Sequence, residues 1–113
     1  MREDKQYTQF WFADQIDQWL RWVPATVNEA LEVGSFEGAS AGWLLDNRPE
    51  ANMTCIDIFG QKFDDITGTY EDRFDANLAE YGERVTKIKE YSNVALLSLA
   101  EQGKQYEFIY IDG

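Results

Sequence analysis

Leu31-Glu32-Val33-Gly34-Ser35-Phe36-Glu37-Gly38-Ala39-Ser40 reads as the end of a buried strand, a glycine turn and the start of a helix. An acid stands two places before the first glycine. A second apolar run, Met53-Thr54-Cys55-Ile56-Asp57-Ile58, carries Asp57, 57 − 34 = 23 positions after Gly34. A strand, a glycine turn, a helix and a second strand ending in an acid is how a nucleoside ligand is held at the top of a parallel sheet. The glycines let the backbone approach the ligand, and the second-strand acid accepts hydrogen bonds from two ribose hydroxyls.

The glycine spacing narrows the ligand. A dinucleotide site wants Gly-x-Gly-x-x-Gly, so that a pyrophosphate rests on the helix N-terminus. Here the glycines are Gly34, Gly38 and Gly42, and Phe36 occupies the middle position. No lysine followed by Ser or Thr comes after Gly38, as a Walker-type phosphate loop requires. Glu32 beside the turn repels a pyrophosphate and suits a cationic ligand, such as one with an amino group and a sulfonium.

On these residues the chain resembles the class I S-adenosylmethionine-dependent methyltransferases. Their first motif has an acid-x-Gly pattern with further small residues and runs into a helix; their second is a strand ending in Asp or Glu. Tyr106-Glu107-Phe108-Ile109-Tyr110-Ile111-Asp112-Gly113 resembles the fourth strand of a small-molecule subgroup, which ends in Asp-Gly or Asp-Ala. The similarity runs from about residue 28 to residue 113, and more weakly over the aromatic N-terminal helix.

The resemblance implies S-adenosylmethionine as cofactor and a role for each matched residue. Gly34 would let the chain turn under the methionine part, with Ser35 offering a hydroxyl and an N–H, and Gly38 belongs to the same turn. Glu32 would bind the ligand's ammonium directly or through water, since an unpaired carboxylate in an apolar run is costly. Asp57 would hold the ribose, and Ile58 and Phe59 would sandwich adenine or serve the core. Ser92 would read the adenine edge or cap the following helix, with Glu90 as the alternative for that contact. Asp112 would lie near the transferable methyl group as the catalytic candidate. In a subset of relatives an acid here binds a divalent metal that orients the acceptor oxygen. The remaining ligands of such a site would lie beyond Gly113, so a metal remains a matter for a longer parent. Tyr7, Phe10 and Trp11 would cover the cofactor or simply fill the core.

Ten basic against twenty-one acidic residues give a net charge of −11, which disfavours nucleic acid and anionic membranes and suits a small neutral or cationic substrate. The chain has no histidine and one cysteine. That removes Ser-His and Cys-His dyads, the usual transition-metal ligands and any intramolecular disulfide, and makes a reducing, cytoplasmic setting the default. Cys55, inside a strand, reads as a buried inert thiol. Met1-Arg2-Glu3-Asp4-Lys5 lacks the apolar core of a signal peptide, and no apolar run approaches the ~18 residues of a membrane span.

Along the chain, residues 8–23 carry a helical stripe of Phe12, Ile16, Trp19, Leu20 and Val23, stopped by Pro24. Strands are expected over 29–33, 53–58, 84–89 and 108–111. Helices are expected over about 38–47, from Thr69 with Asp72 as a capping-box partner and Gly82 as its stop, and from Ser92 to Gly103. The inward residues of the third helix are Phe74, Leu78 and Tyr81; the fourth carries Val94, Leu96, Leu97 and Leu99. The polar stretch 59–68 is a functional lid or a plain loop. The expected class is α/β: a Rossmann-like parallel sheet with helices on both faces after an N-terminal amphipathic helix. By the resemblance the strand order is 3-2-1-4, with the crevice at the strand C-terminal ends where winding reverses.

The chain then forms one partial domain: an N-terminal helical region over 1–27 and the cofactor-binding half of a methyltransferase over 28–113. The acceptor is expected to be a small molecule, and no base for a hydroxyl acceptor is evident. In the family's order a fifth strand would pair with the fourth. An unpaired Phe108-Ile109-Tyr110-Ile111 edge should make the isolated chain self-associate or fold marginally, with little activity alone. The rival readings are an NAD-type oxidoreductase half-domain and a non-catalytic nucleoside-binding module.

Overall fold

The computed structural model describes residues 2–60 and 69–112. Four parallel strands, β1 (Glu29–Val33), β2 (Asn52–Asp57), β3 (Val85–Lys89) and β4 (Phe108–Ile111), form one sheet in the order β3-β2-β1-β4. The crossovers are α2 (Ala39–Asn47), α3 (Tyr70–Leu78) and α4 (Ser92–Glu101), and α1 (Ile16–Trp22) precedes the sheet. This is the α/β, Rossmann-like architecture expected from the sequence.

Side chains alternate across the sheet and sort into two cores. Ala30, Met53 and Cys55 face α1, α2 and α3, where Trp19, Leu44, Leu45, Phe74 and Leu78 are buried against them. Leu31, Val33 and Ile56 face the other way, onto Ala95 and Leu99 of α4. Trp19 ties α1 to β4, with its ring 5.0 Å from Phe108 and 4.8 Å from Tyr110, both edge-on. Such pairs contribute about 0.5–1.5 kcal/mol each beyond the area they bury. The opposite face of β4 is open: Ile109 and Ile111 are exposed.

Several boundaries differ from the sequence reading. The expected helix over 8–23 is a 3-10 turn, Trp11–Gln15, followed by the short α1. The backbone N–H groups of Thr8 and Gln9 donate instead to the Glu37 carboxylate, at 2.9 and 3.3 Å, which draws residues 8–9 out of the helix. Leu20 points to solvent. Thr69 does cap α3, its hydroxyl accepting the Asp72 N–H at 3.0 Å. That helix ends at Leu78, and a 3-10 turn over Ala79–Arg84 bends at Gly82, where φ is 57°. Tyr81 is nonetheless buried, as expected. On α4 only Leu99 of the four apolar candidates is buried, beside Ala95; Val94, Leu96 and Leu97 are exposed. The lid candidate over 59–68 lies outside the described residues from 61 onward.

Candidate functional site

Each ladder runs one residue past the strand ends and gathers the site. Gly34 N–H donates to Ile56 O at 2.8 Å, Asp112 N–H to Val33 O at 2.8 Å, and Glu90 N–H to Asp57 O at 3.1 Å. Since Val33 is in register with both Ile56 and Ile111, and Asp57 with Lys89, these bonds carry Gly34, Asp57, Glu90 and Asp112 to one end of the sheet. This end is the C-terminal one, with β1 between β2 and β4 at the reversal of winding.

Asp57 organises the turn around it. One carboxylate oxygen accepts the Phe36 N–H at 2.9 Å; the other accepts the Phe59 N–H at 2.9 Å and the Tyr70 hydroxyl at 3.2 Å. Among the described residues, Phe36 and Phe59 are the two non-glycine residues with positive φ, at 49° and 50°. A left-handed conformation costs such residues roughly 1–2 kcal/mol each, which hydrogen bonds to a charged acceptor, about 1.5–3 kcal/mol each, offset. Asp57 therefore shapes the turn as well as facing the cleft.

Phe36 in this conformation stacks on Trp11, with centroids 5.1 Å apart, and lies 4.9 Å from the Tyr70 ring. Two clefts share Trp11, Gly34, Phe36 and Asp112. The larger, about 370 Å³, is completed by Asp57, Ile58, Tyr70, Glu90, Tyr91 and Ser92, with Val33 and Ile56 at its base. The smaller, about 140 Å³, runs past Ser35, Glu37 and Ser40 to Gln9, Gln15 and Tyr110. The Tyr110 hydroxyl donates to Gln15 Oε1 at 2.8 Å.

Glu32 lies beneath the smaller cleft, fully buried, and lines neither cleft. The Ser40 hydroxyl donates to Glu32 Oε2, and the buried Ser35 hydroxyl lies beside the same carboxyl. Burial pushes the Glu32 carboxyl up to about 7, against the pull of the Ser40 and Ser35 hydroxyls, with smaller upward contributions from Asp112 and Asp57. Burial also raises Asp112 above its ordinary value, and it lifts the Cys55 thiol well up, consistent with an inert core cysteine.

The sequence reading missed Glu37. It is buried, forms an ion pair with the buried Arg73 of α3 at 2.5 Å, and accepts the Thr8 hydroxyl at 2.6 Å as well as two backbone N–H groups. Its own carbonyl takes Asn77 Nδ2 at 2.9 Å. Glu37 thus fastens the N-terminal segment to α3 and so positions Trp11 over Phe36. The only local signal is an acid inside the glycine turn, because its partners are 29 and 36 positions away. Tyr70 was missed for the same reason.

Of the residues singled out from sequence, Gly34, Asp57, Ile58, Ser92, Glu90, Asp112 and Trp11 line the larger cleft, and Ser35 the smaller. Phe59 does not: its ring packs in the core, 4.9 Å from Phe74, and only its N–H serves the site, through Asp57. Gly38 sits at the α2 N-terminus with φ 83°, where a Cβ would come within 3.1 Å of Leu78, so its smallness serves helix packing. Ser92 is the first residue of α4, whose cap position is Tyr91, and it makes no capping hydrogen bond. Tyr7 lies apart from both clefts, its hydroxyl against Gly42, and Phe10 is exposed. Among the described residues no group of three or more His, Cys, Asp or Glu is placed to hold a metal, and no helix is long and apolar enough to cross a membrane. Gly113 lies outside the described residues.

Similarity to known proteins is visible in three dimensions. A cyclopropane-fatty-acyl-phospholipid synthase-like protein from Lactobacillus casei superposes with a TM-score of 0.68 at 20% identity, over 88% of this chain and 36% of that one. The chain shares its fold. A putative O-methyltransferase from Klebsiella pneumoniae gives a TM-score of 0.63 at 20% identity, over 96% of this chain and 47% of that one. The chain therefore spans less than half the length of either structure. No family model and no curated protein matches the sequence.

Proposed function

We propose that this chain is the S-adenosylmethionine-binding half of a methyltransferase acting on a small molecule. The observation that carries the proposal is Asp57. Its carboxylate faces the larger cleft across from the Gly34 turn, already fixed by two backbone N–H groups and a tyrosine hydroxyl. A carboxylate held in that way is preorganised to accept the two hydroxyls of a ribose, each such bond contributing about 1.5–3 kcal/mol.

The donor set fits the cofactor. Ile58, Tyr91 and Ser92 offer an apolar wall and a hydroxyl for an adenine, with Glu90 beside them. Gly34 and Ser35 lead from there into the smaller cleft. Glu32, one layer below, acts through Ser40: a charged ligand amine overhead would favour its ionised form. The cofactor would supply an electrophilic methyl group. The chain's part is to orient the two ligands and keep water from between them, which needs no histidine. Phe36 argues against a dinucleotide. It fills the middle glycine position with a ring stacked on Trp11 and tilted against Tyr70, where a pyrophosphate needs bare backbone.

Calorimetric titration with S-adenosylhomocysteine and with NAD tests the reading. Saturable binding of the first without the second is expected. Binding of NAD with no response to S-adenosylhomocysteine refutes it.

A further inference from the structure

We propose that Tyr70 is a specificity-determining residue for the sugar of the ligand. In the free chain its hydroxyl holds the place on Asp57 that one ribose hydroxyl takes on binding, and it yields that place by exchange. This deepens the nucleoside-binding reading above and rests on it.

An ionised carboxylate offers about four lone-pair directions, two on each oxygen. Among the described residues three donors reach Asp57. The Phe36 N–H donates to Oδ2 at 2.9 Å; the Phe59 N–H, at 2.9 Å, and the Tyr70 hydroxyl, at 3.2 Å, both donate to Oδ1. Oδ2 keeps one direction for a ligand, and Oδ1 is filled. A ribose that sets one hydroxyl on each oxygen therefore needs a donor to leave Oδ1.

The tyrosine leaves more easily than the backbone. The Phe59 N–H belongs to a residue at φ 50° whose ring packs 4.9 Å from Phe74, so withdrawing it undoes the turn. The Tyr70 bond is the longest of the three and exceeds the roughly 2.5–3.0 Å usual for an O–H donor to oxygen. The Tyr70 ring is held in place, 6% exposed, with its centroid 4.9 Å from Phe36 and 6.0 Å from Phe59. Its O–H nonetheless turns about the C–O bond without moving the ring, and a phenol both donates and accepts. Tyr70 lines the larger cleft with Asp57. An arriving sugar hydroxyl can then donate to Oδ1 while the Tyr70 hydroxyl turns to the sugar, so the exchange costs no hydrogen bond.

A sugar without the hydroxyl that faces Oδ1 leaves Tyr70 where it is and loses little. A sugar without the hydroxyl that faces Oδ2 loses a full charge-assisted bond. Tyr70 thus mutes the selection against one deoxy sugar and not against the other.

The test titrates adenosine, 2′-deoxyadenosine and 3′-deoxyadenosine calorimetrically into the wild type and Tyr70→Phe, with circular dichroism checking the fold. In the wild type one deoxynucleoside is expected to bind nearly as well as adenosine. The other should bind roughly tenfold or more weakly, the worth of a hydrogen bond to a charged group. In Tyr70→Phe the first should also fall roughly tenfold behind adenosine, because nothing replaces its missing hydroxyl on Oδ1, while the second gap stays as it was. Equal losses for the two deoxynucleosides in the wild type overturn the proposal without any variant. So do unchanged gaps in folded Tyr70→Phe, and so does a variant that weakens all three ligands alike, as a mere prop for the turn would. S-adenosylhomocysteine is titrated alongside. If adenosine binds and S-adenosylhomocysteine does not, the methyl-donor reading fails and the three nucleosides still decide the role of Tyr70. If neither binds, both are overturned.

Discussion

Replacing Glu32 by Gln should flatten the pH dependence of stability. Glu32 is fully buried and takes the Ser40 hydroxyl on one oxygen. Its carboxyl titrates near 7 in the fold against 4.5 in the unfolded chain. Between those values the folded protein holds a proton that the unfolded chain releases. Stability from this group is therefore fully present below pH 4.5 and is lost as pH rises through 7. The gap of 7 − 4.5 = 2.5 units corresponds to about 3 kcal/mol at 1.36 kcal/mol per unit. Glu71 and Glu80, held below their ordinary value by Lys87 and Arg2, act in the opposite sense, but only as pH falls below 4.5. The window between is left to Glu32, with Asp112 adding a smaller effect of the same sign. Urea denaturation at pH 5, 6, 7 and 8 should show the wild type losing on the order of 2–3 kcal/mol across the range. Glu32→Gln, neutral at every pH and still able to accept from Ser40, should lose little. A wild type whose stability is level or rises from pH 5 to pH 8, with the variant following the same course, would show that burial does not hold Glu32 protonated.

Asp57→Ala should weaken S-adenosylhomocysteine binding roughly 10–100-fold and also lower stability by about 2 kcal/mol, because Phe36 and Phe59 lose the acceptor that holds their left-handed backbone. Asp57→Asn should cost less on both counts, and unchanged affinity in folded Asp57→Ala would move the ribose contact elsewhere. Glu37→Ala leaves Arg73 with a broken buried ion pair and should destabilise by about 3–5 kcal/mol. It should also free the N-terminal segment, read as altered tryptophan emission and faster proteolysis near Thr8; a cost under about 1 kcal/mol refutes the clamp. The isolated chain should self-associate through β4, whose outer face exposes Ile109 and Ile111, and Ile109→Lys should reduce that association in light scattering. A clean wild-type monomer at high concentration, melting sharply and reversibly, would rule this out.

The sheet was legible because its signals are local. Apolar runs bounded by turns give four strands, and right-handed crossovers then place their C-terminal ends together. With the strand order that the resemblance implies, Glu32, Gly34, Asp57 and Asp112 are expected around one crevice; Gly34, Asp57 and Asp112 line it, and Glu32 is buried beneath. What escaped depends on side chains from distant segments. Residues 8–9 follow a helical stripe in sequence, yet their N–H groups go to Glu37, an alternative to the helix ladder that no periodicity reveals. Phe59 continues an apolar run, and the sequence leaves it open between an adenine and the core. The Asp57 carboxylate captures its N–H, turns the chain at φ 50° and sends the ring into the core. On α4, Leu97 and Val94 are apolar but stay exposed, since hydrophobic content alone does not say which face a helix buries.

Glu32 shows best how a sequence inference can be sound in its premise and incomplete in its conclusion. A carboxylate inside an apolar run is costly unless something compensates it. The sequence suggests a ligand as the compensation, and the fold supplies two other routes: the Ser40 hydroxyl and a raised pKa that lets the group go neutral. The two accounts join at the smaller cleft. With the Glu32 carboxyl pushed up to about 7 beneath that cleft, a cationic amine arriving there would favour the ionised carboxylate and expel a proton. Binding of such a ligand should then release protons near pH 7, while binding of an uncharged nucleoside such as adenosine should not. The difference is measurable as a buffer-dependent heat for S-adenosylhomocysteine that is missing for adenosine and lost in Glu32→Gln. If both ligands give the same buffer dependence, Glu32 does not sense the amine and its burial is purely structural.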